Sequence, residues 1–173
     1  MARYVNAALS KGITKAKLID TKTIVVRNWV RLKCQYGCGG YGTHLTCPPF
    51  SPTPEYTERM LREYSKALLM QISGIESYKE RTMSKKLRRI VALLERDIFL
   101  DGYYKAFGMA SGPCRLCRTC NTKEECVYPE QARPSMEACG IDVFGTVRNN
   151  GFVLEVVKTE DACCSYNALV LIE

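Results

Sequence analysis

Apolar positions recur at helical spacing over only one long stretch of this chain. Met83, Leu87, Ile90, Val91, Leu94 and Ile98 share one face of a helix expected from about Tyr78 to Leu100. The other face carries Lys79, Arg81, Lys85, Lys86, Arg88, Arg89 and Arg96 and reads as a solvated surface, with docking to an acidic partner or nucleic acid as the alternative. Unbroken apolar runs predict strands at Ser65–Ile72, stopped at Gly74, and at Ala168–Glu173. The β-branched and aromatic segments Leu18–Asp20, Thr23–Val26 and Trp29–Leu32 predict one or two more, and Tyr103–Ala110 another. Short helices are expected over residues 2–11, from Pro54 through Met60, Leu61 and Tyr64, and through Ile141, Val143, Phe144 and Val147 to near Gly151. The pattern as a whole predicts a single α/β domain spanning residues 1–173. Its mixed sheet would have about four or five strands, with helices packed against it and cysteine-rich metal-binding loops at one end.

Composition then changes the picture. Ten cysteines stand against one histidine and one tryptophan in 173 residues, heavy thiol usage for a chain long enough to build its own core. Met1 to Asn6 leads into no apolar run, so neither a secretory leader nor a spanning segment is expected, and a reducing cytoplasm follows. There, clustered cysteines act as metal ligands or redox groups more often than as disulfides.

The densest cluster is Gly112-Pro113-Cys114-x2-Cys117-x2-Cys120, closed by Cys126 and, three residues on, by Pro129. Its C-x2-C-x2-C-x5-C spacing resembles the bacterial ferredoxin run C-x2-C-x2-C-x3-C-P, which holds a [4Fe–4S] cluster. A cubane presents iron corners several ångströms apart, so a loop with a cysteine every third residue can wrap around it. A single zinc ion gathers its sulfurs at about 2.3 Å and is usually signalled by two separated C-x2-C pairs. The triplet favours iron–sulfur, with zinc as the alternative.

A second group follows the early strands: Cys34, Cys38 and Cys47, with four glycines between the first and last and Pro48-Pro49 ending the loop. Glycines at this density oppose helix and strand and permit close backbone approach to a bound group. Three cysteines lack one ligand. The fourth could be Cys139, the leading candidate, or His44, or an exogenous group at an open iron. Adjacent Cys163 and Cys164 rarely ligate one ion, and the expectation is one buried and one free. Arg133 and Glu137 are expected to cap a helix and tie a loop down rather than to react.

Three blocks in this order carry a further resemblance: Cys34-x3-Cys38-Gly-Gly-Tyr-Gly with Cys47-Pro-Pro, then Gly112-Pro-Cys-x2-Cys-x2-Cys, then Ala132-Arg-Pro-Ser-Met-Glu-Ala-Cys139-Gly-Ile-Asp-Val143. Together they resemble a family of small prokaryotic proteins described as predicted metal-binding. That resemblance implies metal binding by these cysteines and supplies neither a substrate nor a reaction.

The candidate ligands are therefore Cys34, Cys38, Cys47, Cys114, Cys117, Cys120, Cys126 and Cys139, for one or two [4Fe–4S] clusters. In two-cluster ferredoxins late ligands exchange between centres, and Cys126 and Cys139 could do so here. The net charge of +7 counts neutral thiols. Each four-thiolate cluster would lower it by about two units, which weakens any inference of nucleic-acid binding. Walker and dinucleotide fingerprints are absent, and one histidine makes most acid–base schemes awkward. The leading expectation is a cytoplasmic iron–sulfur protein passing single electrons to or from a redox partner protein. Two alternatives are an enzyme with a site-differentiated cluster acting on a small substrate and a zinc-stabilised interaction module.

Overall fold

Two strands, β2 (Lys66–Ile75) and β4 (Cys164–Leu171), are buried along most of their length, and the rest of the chain covers their two faces. A computed structural model describes residues 1–76 and 81–173. In chain order the elements are α1 (Ala2–Ser10), β1 (Lys15–Asp20), α2 (Asn28–Gly37), α3 (Pro54–Leu61), β2, α4 (Arg81–Leu100), β3 (Phe107–Met109), α5 (Val143–Asn149) and β4, with short 3₁₀ turns at Thr21–Thr23 and Glu137–Cys139.

The sheet order is β1-β2-β4-β3, and every pair is antiparallel. The α/β class and a sheet of four strands are as expected from the sequence, whereas the mixed pairing is corrected. Since β2 and β3 are each antiparallel to β4, they run parallel to one another, as a strand–helix–strand crossover through α4 requires. β4 inserts between them and takes up both ladders, so the parallel relationship survives while the parallel hydrogen bonds do not.

Alternation along the two central strands assigns the faces. Leu68, Met70, Ile72, Ala168 and Val170 pack with Tyr4 and Ala8 of α1 and with Leu87, Val91, Leu94 and Ile98 of α4. Ala67, Leu69, Leu169 and Leu171 pack on the opposite side with Met136, Cys139, Ile141, Val143 and Val147. Burial on both faces is why these strands read as unbroken apolar runs rather than as an alternating pattern.

Several elements differ from expectation. Trp29–Leu32 belongs to helix α2, not to a strand, and Trp29 is 47% exposed. Its β propensity is overridden by tertiary packing: Arg31 and Cys34, at i and i+3, share a helix face that meets the turn at Glu137–Cys139. Thr23–Val26 forms no strand and contributes only the bridge Val26↔Ile141, fastened by Arg27 N–H to the Gly140 carbonyl at 2.9 Å and Asp142 N–H to the Val25 carbonyl at 2.8 Å. Gly140 itself is fixed by space: it has φ +80°, and a Cβ there would lie 2.7 Å from Pro54 Cγ. α3 opens as expected, with Thr53 Oγ1 accepting from Tyr56 N–H at 3.2 Å and proline in the first turn, but it stops at Leu61 rather than Tyr64. The strand expected from Tyr103 shrinks to Phe107–Met109, because a turn closed by Ala106 N–H on the Tyr103 carbonyl at 2.9 Å takes its start and Ala110 leaves the sheet to bridge Ser135. β2 continues past Gly74 through an irregularity between Ile72 and Ile75. The expected first turn of the long helix at Tyr78, with Lys79, lies outside the described residues. Among the described residues no helix is long and apolar enough to cross a membrane.

Candidate metal centre

The first cysteine group grows out of α2. Cys34 occupies the last turn and Cys38 the position that caps it, so helix geometry sets their direction before the glycine loop begins. Arg31 braces this end, donating from Nη1 to the Ala138 carbonyl at 2.9 Å and to Ser51 Oγ at 3.2 Å, while Ser51 Oγ donates to the same carbonyl at 2.7 Å. The segment after Cys47 and the turn before Cys139 are thereby fastened to the helix that carries Cys34. The Cys34 thiol points at the Glu137 carbonyl, 3.8 Å away. At Gly40 an added Cβ would lie 3.3 Å from Cys47 Sγ, 3.5 Å from Cys38 Sγ and 3.2 Å from Pro113 Cβ, so two sulfurs and the start of the second loop converge on one backbone position. Only glycine leaves that space free.

Cys34, Cys38 and Cys47 open onto a cavity of about 720 Å³ whose walls include Trp29, Tyr41, Phe144, Val156 and Tyr166. Burial, followed by the neighbouring Cys38, pushes the Cys47 thiol up to about 11. Cys34 is raised by burial first, then by Cys38 and Glu137. These shifts place the three thiols within electrostatic reach of one another, in a setting that a cation would relieve.

The second group lies on the excursion from Ser111 to Pro134. Its neck is closed by backbone: Ala110 N–H donates to the Pro134 carbonyl at 2.8 Å and Met136 N–H to the Ala110 carbonyl at 3.0 Å. Cys114, Cys117, Cys120 and Cys126 border a recess of about 20 Å³ together with His44 and Thr46. Cys117 is raised by desolvation first, then by Cys114, Cys120 and Cys126, so these four also feel one another.

A polar stripe on α4 holds the neck. Ser84, Arg88 and Glu95 fall at i, i+4 and i+11, on one side of the helix. Ser84 Oγ donates to the Ser111 carbonyl at 3.3 Å. Arg88 donates to the carbonyls of Ser111 at 3.3 Å and Gly112 at 2.9 Å, and also to that of Arg133. The Glu95 carboxylate takes Arg133 in a two-pronged pair, 2.6 Å on each prong, and accepts from Gly108 N–H at 2.7 Å. Arg133 therefore ties the loop, as expected. Arg88, in contrast, does not belong to a solvated face: it is 2% exposed. A guanidinium tolerates that burial because its fork satisfies several carbonyls at once. Burial lowers the Arg88 pKa, while Cys114, Cys47 and Glu137 draw it back up. One buried cation thus stands between the two cysteine groups.

Cys139 lines neither opening, although Cys34 is near enough to add to burial in raising its thiol. It is wholly buried in the apolar cluster under the sheet and does not border the cavity of Cys34, Cys38 and Cys47. Burial pushes its thiol up to about 12. His44 borders the four-cysteine recess rather than the three-cysteine cavity, with Nδ1 2.8 Å from Thr43 Oγ1. Cys164 is buried as the first residue of β4 and Cys163 is exposed, as expected for the adjacent pair. Among the described residues no three His, Cys, Asp or Glu side chains converge tightly enough to hold one ion.

The sequence reading missed the Ser84–Arg88–Glu95 stripe. Its signal was present in the spacing, which places all three beside the apolar face, but charge alone assigns Arg88 to solvent. The Glu137 carboxylate was also underrated: the residue borders the three-cysteine cavity.

The family model described as "Predicted metal-binding protein (DUF2284)" matches residues 17–172. No curated protein and no solved structure matches the chain.

Proposed function

Because the chain belongs to this family of predicted metal-binding proteins, we propose that it is an iron–sulfur protein holding a [4Fe–4S] cluster on Cys114, Cys117, Cys120 and Cys126 and exchanging single electrons with a partner enzyme. The carrying observation is that these four thiols, all on one clasped loop, border one recess and remain partly exposed. A cluster bound there supplies one-electron exchange, which needs no bond to form or break at its ligands. The chain does the rest. The backbone clasp and the α4 stripe set the ends of the loop before any metal arrives, so less order has to come from ligand bonds. Arg88 places a fixed positive charge beside Cys114, which offsets the charge of a thiolate set. Beside Cys126, Val127 and Tyr128 are 73% and 44% exposed and offer apolar contact to a redox partner. Ten free thiols suit a reducing compartment such as the cytoplasm.

An anaerobic preparation assayed for iron, acid-labile sulfide and zinc tests the reading. The expected result is a brown protein that bleaches with dithionite and holds about four irons for one loop, or about eight if both groups are loaded. Stoichiometric zinc without sulfide overturns it in favour of a zinc-stabilised interaction module.

A second reading is an enzyme whose cluster on Cys34, Cys38 and Cys47 has one iron without a cysteine. The cavity of about 720 Å³ that opens onto these thiols favours it. Cyanide or a small thiol should then perturb the electron paramagnetic resonance signal of the reduced protein. An unchanged signal would indicate a coordinatively closed centre that only transfers electrons.

A further inference from the structure

Glu137 opens the 3₁₀ turn that faces α2 and borders the cavity of Cys34, Cys38 and Cys47. Its Oε2 is sealed from solvent and has no hydrogen-bond partner among the described residues. A carboxylate oxygen in that state loses its hydration and gets nothing back, a cost that proteins rarely carry without a use for the group. Burial raises the Glu137 pKa, while its own backbone N–H, the Ser135 hydroxyl and Arg88 hold it down. The Cys34 thiol lies 3.8 Å from the Glu137 carbonyl, so the two residues are neighbours, and the carboxylate adds to the rise of the Cys34 thiol. The three-cysteine group is short by one donor, and Cys139, though within electrostatic reach of Cys34, lies in the apolar cluster and does not border the cavity as Glu137 does. An orphaned oxygen beside an incomplete thiol set is the fit that a further ligand position requires.

We propose that Glu137 Oε2 is the fourth protein ligand of the centre on Cys34, Cys38 and Cys47, giving three thiolates and one carboxylate around a [4Fe–4S] cluster. The inference rests on the reading that this group carries a cluster. Each donor enters as its anion and releases its proton to solvent, and no electron changes hands. Carboxylate is a harder ligand than thiolate and holds iron less firmly. The iron it binds is therefore the one that exchanges its ligand most readily, and it belongs to the centre that opens on the large cavity. Ser135 and Arg88 act as positioning residues for the carboxylate.

The test uses the full chain, reconstituted anaerobically with ⁵⁷Fe and sulfide, and compares wild type with Glu137→Cys, Glu137→Gln and Cys34→Ser by iron count, Mössbauer spectrum and electron paramagnetic resonance. In wild type one iron subsite should stand apart from the thiolate-ligated irons. Glu137→Cys should merge it with the others at an unchanged iron count. Glu137→Gln should lose that one iron and, after one-electron oxidation with ferricyanide, show the signal of a [3Fe–4S]+ cluster. If Glu137→Gln folds poorly, the Glu137→Cys spectrum still decides. Spectra and iron counts identical to wild type in both Glu137 variants overturn the ligand assignment alone. An iron count and spectra all untouched by Cys34→Ser show that the three-cysteine group carries no cluster and overturn both this inference and the reading beneath it.

Discussion

Arg88 Nη2 donates to the Gly112 carbonyl at 2.9 Å, two residues before the first cysteine of the C-x2-C-x2-C run. The same guanidinium also serves the carbonyls of Ser111 and Arg133, so both ends of the excursion hang on one side chain of α4. Arg88→Leu leaves the Gly112 and Arg133 carbonyls without this donor, the Ser111 carbonyl keeping Ser84 Oγ, and removes the cation beside Cys114 and Cys47. The expected loss is roughly 3 kcal/mol in urea denaturation of the metal-free protein, from unpaired buried acceptors. Arg88→Lys keeps the charge without the fork and should recover less than half of that. Wild-type stability and iron content in Arg88→Leu would show that the neck closes without this residue.

Adjacent glycines provide an internal comparison in the first loop. A Cβ at Gly39 would meet nothing within 4 Å, whereas one at Gly40 would press on Cys47 Sγ and Cys38 Sγ at 3.3 and 3.5 Å. Gly39→Ala should bind metal like wild type. Gly40→Ala should lower the iron bound by this group by at least half while leaving the far-ultraviolet circular dichroism spectrum unchanged. Equal metal content in the two variants would mean that the sulfurs do not gather over Gly40.

The buried thiols predict alkaline sensitivity of the metal-free protein. Cys47 is raised from 9.0 to about 11 and Cys139 from 9.0 to about 12, in each case chiefly by burial. Above pH 9 the unfolded chain gives up protons that the folded chain keeps, so stability is whole below that pH and falls as pH rises towards the folded values. The slope should approach about 1.4 kcal/mol per pH unit for each thiol. Urea midpoints measured between about pH 8 and 11 check this. Cys139→Ala should remove one thiol's share of the slope, and an unaltered slope would mean that Cys139 is not the buried thiol responsible.

Cysteine replacements should divide by environment. Cys117→Ala should cost the excursion its cluster and lower total iron by about four per chain. Cys163→Ala, at an exposed position, should leave iron content unchanged and stability within about 0.5 kcal/mol of wild type. Iron loss on removing Cys163 would place a ligand at the C-terminal pair.

Where periodicity is long and burial strong, this fold is legible in its residues. α4 announces itself through Leu87, Val91, Leu94 and Ile98, and β2 and β4 through their unbroken apolar runs. Local propensity misleads where a distant contact overrules it, as at Trp29–Leu32, whose helix is set by Arg31 and Cys34 meeting a turn about a hundred residues away in sequence. Pairing direction was equally out of reach, because nothing local says that β4 inserts between β2 and β3. The cysteine groups were visible as spacing, and the structure brings each within electrostatic reach of itself. Arg88 is a buried charge and Glu137 carries a carboxylate oxygen sealed from solvent, and composition offers no sign of either.

The excursion from Ser111 to Pro134 leaves the body and returns to it at neighbouring positions, Ala110 and Ser135. The ends are held by the sheet-side clasp and by α4, so the hydrophobic layers do not sense how much chain lies between them, and the first loop, through Gly40, His44 and Thr46, meets its interior. Closure entropy grows only with the logarithm of length, and doubling the excursion would cost about 0.6 kcal/mol. The segment that carries four thiols is thus thermodynamically separate from the hydrophobic layers: the stretch away from its contacts with the first loop can be lengthened or shortened while those layers keep their register.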